Sequence, residues 1–258
     1  MAEPYIRLQN VDKVYQTKDG SVVAVQDVSF DIQQSEFIAI VGPSGCGKTT
    51  ILKMIAGLVP YTGGTITIGG RQVDQPQTDL GIIFQDSVLL DWRNVLSNVM
   101  LQIEIRGMDR NVYEPIALEL LQNVGLDGFE RKNPYELSGG MKQRVSICRS
   151  LVHDPPLLLM DEPFGALDAL TREQISMDIQ HLWMQKQKTA LLITHSIPEA
   201  VLLADRVIVM SPRPGQIIEI FEINIPRPRR LDNLPPAFDE YAGEIRKIFQ
   251  ARGVLAFD

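Results

Sequence analysis

The chain has 258 residues, 45% of them hydrophobic and 22% charged, with a formal net charge of -7. That is an ordinary globular composition with room for one large core or a core and a small lobe, and its acidic balance argues against a dedicated nucleic-acid binder, which carries a basic face. The two cysteines, Cys46 and Cys148, give neither a disulfide framework nor metal spacing, the start Met1 to Tyr5 lacks the regions of a signal peptide, and no apolar run reaches the length of a membrane span.

Residues 5–35 alternate apolar and polar side chains in short pieces, Ile6 to Leu8 and Val22 to Val28, which predicts antiparallel hairpins. Phe37-Ile38-Ala39-Ile40-Val41 is a continuous apolar run, as a buried parallel strand should be. It leads directly into Gly42-Pro43-Ser44-Gly45-Cys46-Gly47-Lys48-Thr49, which fits G-x-x-x-x-G-K-[ST], and Thr50 to Ala56 then reads as a helix. Strand, glycine-rich loop and helix are the context a phosphate-binding loop requires. Its amides cradle a polyphosphate, and the helix N-terminus adds unsatisfied donors and a partial positive charge. Lys48 is expected to reach the β- and γ-phosphates and the Thr49 hydroxyl to ligate Mg2+. A disulfide at Cys46 would interfere with this loop, so a reducing compartment is the simpler setting.

Thr65 to Ile68 reads as the next strand, turning at Gly69-Gly70, and Ile82-Ile83-Phe84 as another that ends at Gln85. The Gln85 amide either touches Mg2+ or water there, or serves as a turn residue. From about 96 to 153 the pattern is mostly helical, with Val112 to Val124 and Gly140 to His153 the clearest pieces. Within this stretch Leu137-Ser138-Gly139-Gly140 precedes a helix starting near Met141. A hydroxyl and exposed amides at that place suit a phosphate; an ordinary N-cap is the alternative. As a second phosphate-binding surface it is either folded onto Lys48 or supplied by another copy.

Leu157-Leu158-Leu159-Met160 reads as a central parallel strand, ending in Asp161-Glu162. Asp161 is placed to hold Mg2+, directly or through water, and Glu162 to polarise an attacking water; an acidic N-cap is the competing reading. A helix over about 171–186 follows, then the strand Thr189 to Ile193, which ends at His195, a residue open to a structural or a functional role. His153 and His181 have no companion ligands and receive no function. Ile208 to Met210 and Ile217 to Ile220 form a hairpin across Pro212-Arg213-Pro214-Gly215. Pro226 to Pro236 is expected to be an extended surface segment and Phe238 to Phe249 a closing amphipathic helix. No internal repeat is apparent, so each chain carries one nucleotide-binding unit.

Taken in this order the residues resemble the ATP-binding cassette ATPases over residues 5 to about 220. The phosphate loop at 42–49 is followed by Gln85 in the Q-loop, Leu137-Ser138-Gly139-Gly140-Met141 as the signature, and Asp161-Glu162 at the end of the Walker B strand. Gly165-Ala166-Leu167-Asp168 matches the D-loop and His195 the switch histidine. The resemblance implies an α/β fold: a P-loop NTPase core with a mixed or parallel central sheet, an N-terminal antiparallel β subdomain, and a helical subdomain at about 90–153 between the Q-loop and the signature. One domain over 1–258 is implied, closed by an extended segment and helix at about 222–258.

The same resemblance implies the site. ATP is held by residues 42–50, Thr50 included, with Tyr15 stacking on adenine and Val23 packed beside it. Mg2+ is ligated by Thr49, Gln85 and Asp161. Glu162 is the catalytic base, Lys48 and His195 contact the γ-phosphate, and Gln85 links the site to a transmembrane partner. Two cassettes bind head to tail, so that Ser138, Gly139 and Gly140 of one chain complete the site of the other while Asp168 communicates across the pair. The signature ends in Met141 rather than glutamine and the D-loop opens with Gly165 rather than serine, variants that also occur in importer cassettes.

Asp91-Trp92-Arg93-Asn94-Val95, Met210 to Gly215 and Pro226-Arg227-Pro228-Arg229 resemble the nitrate/sulfonate/taurine group of bacterial importers, although proline is usual where Asp91 stands. Trp92 is either half-buried or the aromatic on which a permease docks. The implied protein is the peripheral, energy-coupling ATPase of an importer for a small anion or organic sulfonate. It sits on the cytoplasmic face of the inner membrane, with permease subunits and, indirectly, a periplasmic solute-binding protein as partners and no nucleic acid. An exporter or lipid-transport cassette, and a mechanical ATPase acting on DNA or ribosomes, are the competing readings.

Overall fold

A computed structural model describes residues 3–18, 20–165 and 167–254. The chain divides into two compact units, Met1–Thr78 with Gln187–Asp258, and Asp79–Lys186.

The first unit opens with β1 (Ile6–Thr17) and β2 (Gly20–Ile32), one long antiparallel hairpin. Then come β3 (Phe37–Val41), α1 (Lys48–Ile55), β4 (Gly63–Ile68) and the short β5 (Arg71–Gln72). The pieces expected ahead of the phosphate loop are therefore one hairpin, irregular between Leu8 and Val14 where its register shifts. β1 also pairs antiparallel with β4, giving a four-stranded sheet in the order β2-β1-β4-β5.

The second unit starts with β6 (Gly81–Ile83), continues through α2 (Val95–Val99), α3 (Leu101–Ile105), α4 (Arg110–Asn123) and α5 (Gly139–Leu151), and ends with β7 (Leu157–Asp161) and α6 (Ala169–Lys186). β6 and β7 are parallel neighbours, Ile83 opposite Met160. Asn98, fully buried at the end of the Q-loop segment, ties that segment down: its side chain accepts from Leu90 N–H at 2.8 Å and donates toward the Leu90, Arg93 and Asn94 carbonyls. Trp92 lies on the same segment with 79% of its surface exposed, so the half-buried reading does not hold.

The chain returns to the first unit with β8 (Thr189–Thr194), α7 (Ile197–Leu203), β9 (Arg206–Met210), β10 (Ile217–Glu222) and α8 (Pro236–Ala251). β3 lies between β8 and β9, parallel to both, and β10 runs antiparallel outside β9. Every residue of β3 and β8 is buried. Strands covered on both faces need apolar side chains on both, which is why they read as unbroken hydrophobic runs.

The segment Pro226 to Pro236 is largely on the surface, as expected, with one exception: Arg229 within it is 2% exposed. Its guanidinium donates to the carbonyls of Val201 and Ala204 at 2.6 and 2.7 Å, at the C-terminal end of α7, and to Ile225 at 2.8 Å. A helix C-terminus presents unsatisfied carbonyls and a partial negative charge, which a buried arginine can satisfy together. Burial, then the nearby Arg227 charge, pushes the Arg229 pKa down to about 10, which leaves it a cation at neutral pH. Arg227 itself pairs with Asp205 and donates to Leu203 O.

Among the described residues no helix is long and apolar enough to cross a membrane. Cys46 and Cys148 are both free and buried, and burial pushes the Cys148 thiol well above its ordinary range.

Candidate nucleotide site

The first unit carries the phosphate loop and its flanks. β3 ends at Val41 and α1 begins at Lys48, so residues 42–47 form the connection. Gly45 and Gly47 have φ of +73° and +109°, a region costly for any side chain. At Gly47 space excludes one as well: a Cβ would stand 2.7 Å from Ala24 O. Lys48 is 4% exposed and its Nζ donates to the Gly42 and Pro43 carbonyls at 2.8 and 3.0 Å. The ammonium is thus held over the loop it belongs to. A loop this constrained, with a buried cation and a helix N-terminus behind it, fits a polyphosphate.

Tyr15 on β1 reaches the start of α1, its hydroxyl 3.5 Å from Thr50 Oγ1. Lys13 Nζ lies 4.8 Å from the Tyr15 ring centroid while donating to Pro60 O at 2.6 Å, a cation–π arrangement that fixes the ring. The register pairs Tyr15 with Val22 and Val14 with Val23. Since neighbours along a strand face opposite sides, Val22 rather than Val23 is the cross-strand companion of the tyrosine. Val23 remains 38% exposed.

His195 follows β8 and is exposed. The residues on either side of it are pinned. Thr194 Oγ1 donates to the buried Glu199 carboxylate at 2.5 Å and accepts from Ser196 N–H at 3.0 Å, while Ser196 Oγ caps α7 by accepting from Glu199 N–H at 3.4 Å. Neither Glu199 nor α7 was foreseen. The signal was present: Ser196-x-x-Glu199 is a capping-box sequence, and its carboxylate accepts from the Thr194 hydroxyl.

The second unit carries the acidic strand end. Asp161 is the last residue of β7, and Glu162 leaves the strand at φ +48°, left-handed for a side chain that rarely adopts it. Such outliers concentrate where a side chain must be aimed. Gly165 N–H closes the turn on Glu162 O at 3.1 Å. Gln85 follows β6 and lies against this turn; a Cβ on Gly165 would stand 3.0 Å from Gln85 Nε2. The glycine that departs from the usual serine is thus the residue that gives the Gln85 amide its space. Ala166 lies outside the described residues.

Ser138 caps α5, accepting from Met141 N–H at 3.3 Å, as the N-cap reading requires. Ser138 and Gly139 are nevertheless exposed, and Gly140 is buried against α6, where a Cβ would stand 2.3 Å from Thr171 Cγ2. Asp168 caps the other helix of this pair: its Oδ1 accepts from Thr171 N–H at 3.0 Å. Hydrogen bonding from the Thr171 side chain, and then from its backbone N–H, holds the Asp168 carboxyl below the usual range.

A buried strand, a glycine-rich loop closing on G-K-T and a helix, within a sheet of parallel strands, define a P-loop ATPase. The ABC transporter family model matches residues 25–165, more than half of the chain. The chain belongs to that family, as an ATP-binding subunit that hydrolyses ATP. Relatives include an uncharacterized ABC transporter ATP-binding protein of Methanocaldococcus jannaschii, 42% identical over 95% of this chain and 91% of the relative. A taurine import ATP-binding protein of Rhizobium johnstonii is 46% identical over 90% of each chain. Among solved structures, a dimeric ATP-binding cassette bound to ADP and phosphate in a post-hydrolysis state matches with TM-score 0.75 and 31% identity. The match covers 85% of this chain and 99% of that one.

Proposed function

We propose that the chain is the energy-coupling ATPase of an importer for a sulfonate or related small anion, working as a head-to-tail pair on the cytoplasmic face of the inner membrane. The observation that carries the solute class is the 46% identity, over 90% of both chains, to a taurine import ATP-binding protein. Pairing draws support from the dimeric state of the similar cassette bound to ADP and phosphate. Trp92, exposed on a segment anchored by Asn98, is the proposed docking aromatic for the permease.

Residues 42–50 hold the phosphates, Lys48 releases its loop carbonyls to meet the β- and γ-phosphates, and Tyr15 stacks on adenine. Thr49, Gln85 and Asp161 offer the hard oxygen donors that Mg2+ prefers, and the ion, when bound, neutralises charge on the phosphate oxygens. Glu162 accepts the proton of the attacking water, and His195, braced by Thr194 and Ser196, donates to the γ-phosphate. Ser138, Gly139 and Gly140 of the second chain supply the facing wall, and Asp168 lies beside it.

Uptake tests the reading. A strain lacking this chain is expected to lose uptake of labelled taurine or a related alkanesulfonate, regain it with the wild-type chain and not with Lys48→Ala. Normal sulfonate uptake in the deletion strain, with loss of an unrelated solute such as a sugar, would remove the assigned solute class.

A further inference from the structure

The hairpin joining β9 to β10 does more than reverse the chain. Its tip is tied to itself: Ser211 N–H donates to Gln216 O at 2.9 Å, and Gln216 N–H donates to Ser211 Oγ at 3.0 Å. It is also tied to β2, with Gly215 N–H donating to Ala24 O and Gln26 N–H to Gly215 O, both at 3.0 Å. From this braced tip two contacts reach the phosphate loop. Arg213 Nε and Nη2 both donate to Gly45 O, at 3.2 and 3.1 Å. The Gly215 backbone lies so close to the Cys46 carbonyl that a Cβ would stand 2.0 Å from that oxygen.

A trans peptide is planar, with its C=O and N–H on opposite sides. Holding the Gly45 and Cys46 carbonyls on the hairpin side therefore fixes the peptide planes that carry the N–H groups of Cys46 and Gly47. Glycines at 45 and 47 make this stretch conformationally loose by itself, so an external restraint has work to do. Arg213 is exposed, and among the described residues its hydrogen bonds go to Gly45 O alone, with no carboxylate to neutralise it. Its charge thus adds to the field in which a polyphosphate binds.

We propose that Arg213 is a positioning residue for ATP: it clamps the phosphate loop in its anion-binding form and lends the loop a positive charge. The proposal rests on the reading of residues 42–49 as the phosphate site.

The test is equilibrium binding of ATP and of adenosine to the full chain, for wild type, Arg213→Ala, Arg213→Lys and Lys48→Ala. Arg213→Ala is expected to weaken ATP binding about tenfold, as loss of a charge-assisted fork should, and to leave adenosine binding unchanged. Arg213→Lys keeps the charge but loses the fork, so it is expected to recover only part of that loss, binding ATP about threefold to fivefold more weakly than wild type. An ATP affinity for Arg213→Ala within about twofold of wild type would overturn the proposal, the tenfold expectation having come from the bonded fork. Equal losses for ATP and adenosine would also overturn it, since they mark a general structural role. If ATP affinity survives Lys48→Ala, the phosphate-site reading falls and Arg213 with it; if Lys48→Ala loses ATP while Arg213→Ala does not, only the role of Arg213 falls.

Discussion

Replacing Glu162 with glutamine is expected to lower ATP turnover by roughly two to four orders of magnitude, the range a positioned general base contributes, while ATP affinity stays near wild type. Glutamine keeps the shape of the side chain and its hydrogen-bonding reach and removes only the basicity. It also inherits the left-handed backbone at 162, so the substitution adds no new strain at the turn that Gly165 closes. Rate and binding therefore separate cleanly. A single-turnover assay beside a nucleotide-binding titration reads both, and turnover close to wild type would assign the base elsewhere.

The second large effect falls far from any phosphate. Arg229→Ala is expected to destabilise the chain by about 3 kcal/mol or more, because each buried carbonyl left without a donor costs roughly 1–3 kcal/mol. The carbonyls concerned are those of Val201 and Ala204 at the end of α7 and of Ile223 and Ile225 in the extended run just before Arg229. For a chain of this size that is a fall in thermal midpoint of about 6–12 °C at roughly 2–4 °C per kcal/mol. Arg230, the next residue, is the internal control: its side chain is 66% exposed and, among the described residues, pairs only with that of Asp232, itself 67% exposed. Exposed pairs of this kind contribute little, so Arg230→Ala should leave the midpoint where it is. Thermal melts followed by circular dichroism compare the two directly, and equal small shifts would contradict the clamp.

Arg229 also marks where sequence reading loses resolution. The stretch from Pro226 is rich in proline and arginine, and composition averaged over such a window says surface. Yet Ile223, Ile225 and Arg229 are all buried while Glu222, Asn224, Pro226 and Pro228 are exposed. That near-alternation is the period of an extended chain lying on a core, and it was visible in the isoleucines. A buried arginine is legible only once its acceptors are known, and they come from α7, a seven-residue helix too short for a helical period to declare itself.

The phosphate loop was legible for the opposite reason. Its strand, glycines and helix are adjacent in sequence, so the local pattern contains the whole local structure. The same holds for Asp161-Glu162 at the end of a fully apolar strand. Gln85 and His195 were weak as single residues and gained meaning only from the order of the other motifs. What no local pattern could supply was mutual support across the chain: Lys13 on Pro60, Tyr15 against Thr50, Arg213 on Gly45. Each is a contact between segments far apart in sequence, fixed by the strands that bring those segments together.

The central claim is that hydrolysis requires two chains, each phosphate loop closed by the other chain's Ser138 to Gly140. Sedimentation velocity of the Glu162→Gln chain, with and without MgATP, tests it most directly, because ATP bound but not hydrolysed should hold the pair together. The account predicts a monomer without nucleotide, a dimer with MgATP, and loss of that dimer when Ser138→Arg is added. A chain that stays monomeric at saturating MgATP, or dimerises regardless of Ser138, would contradict it.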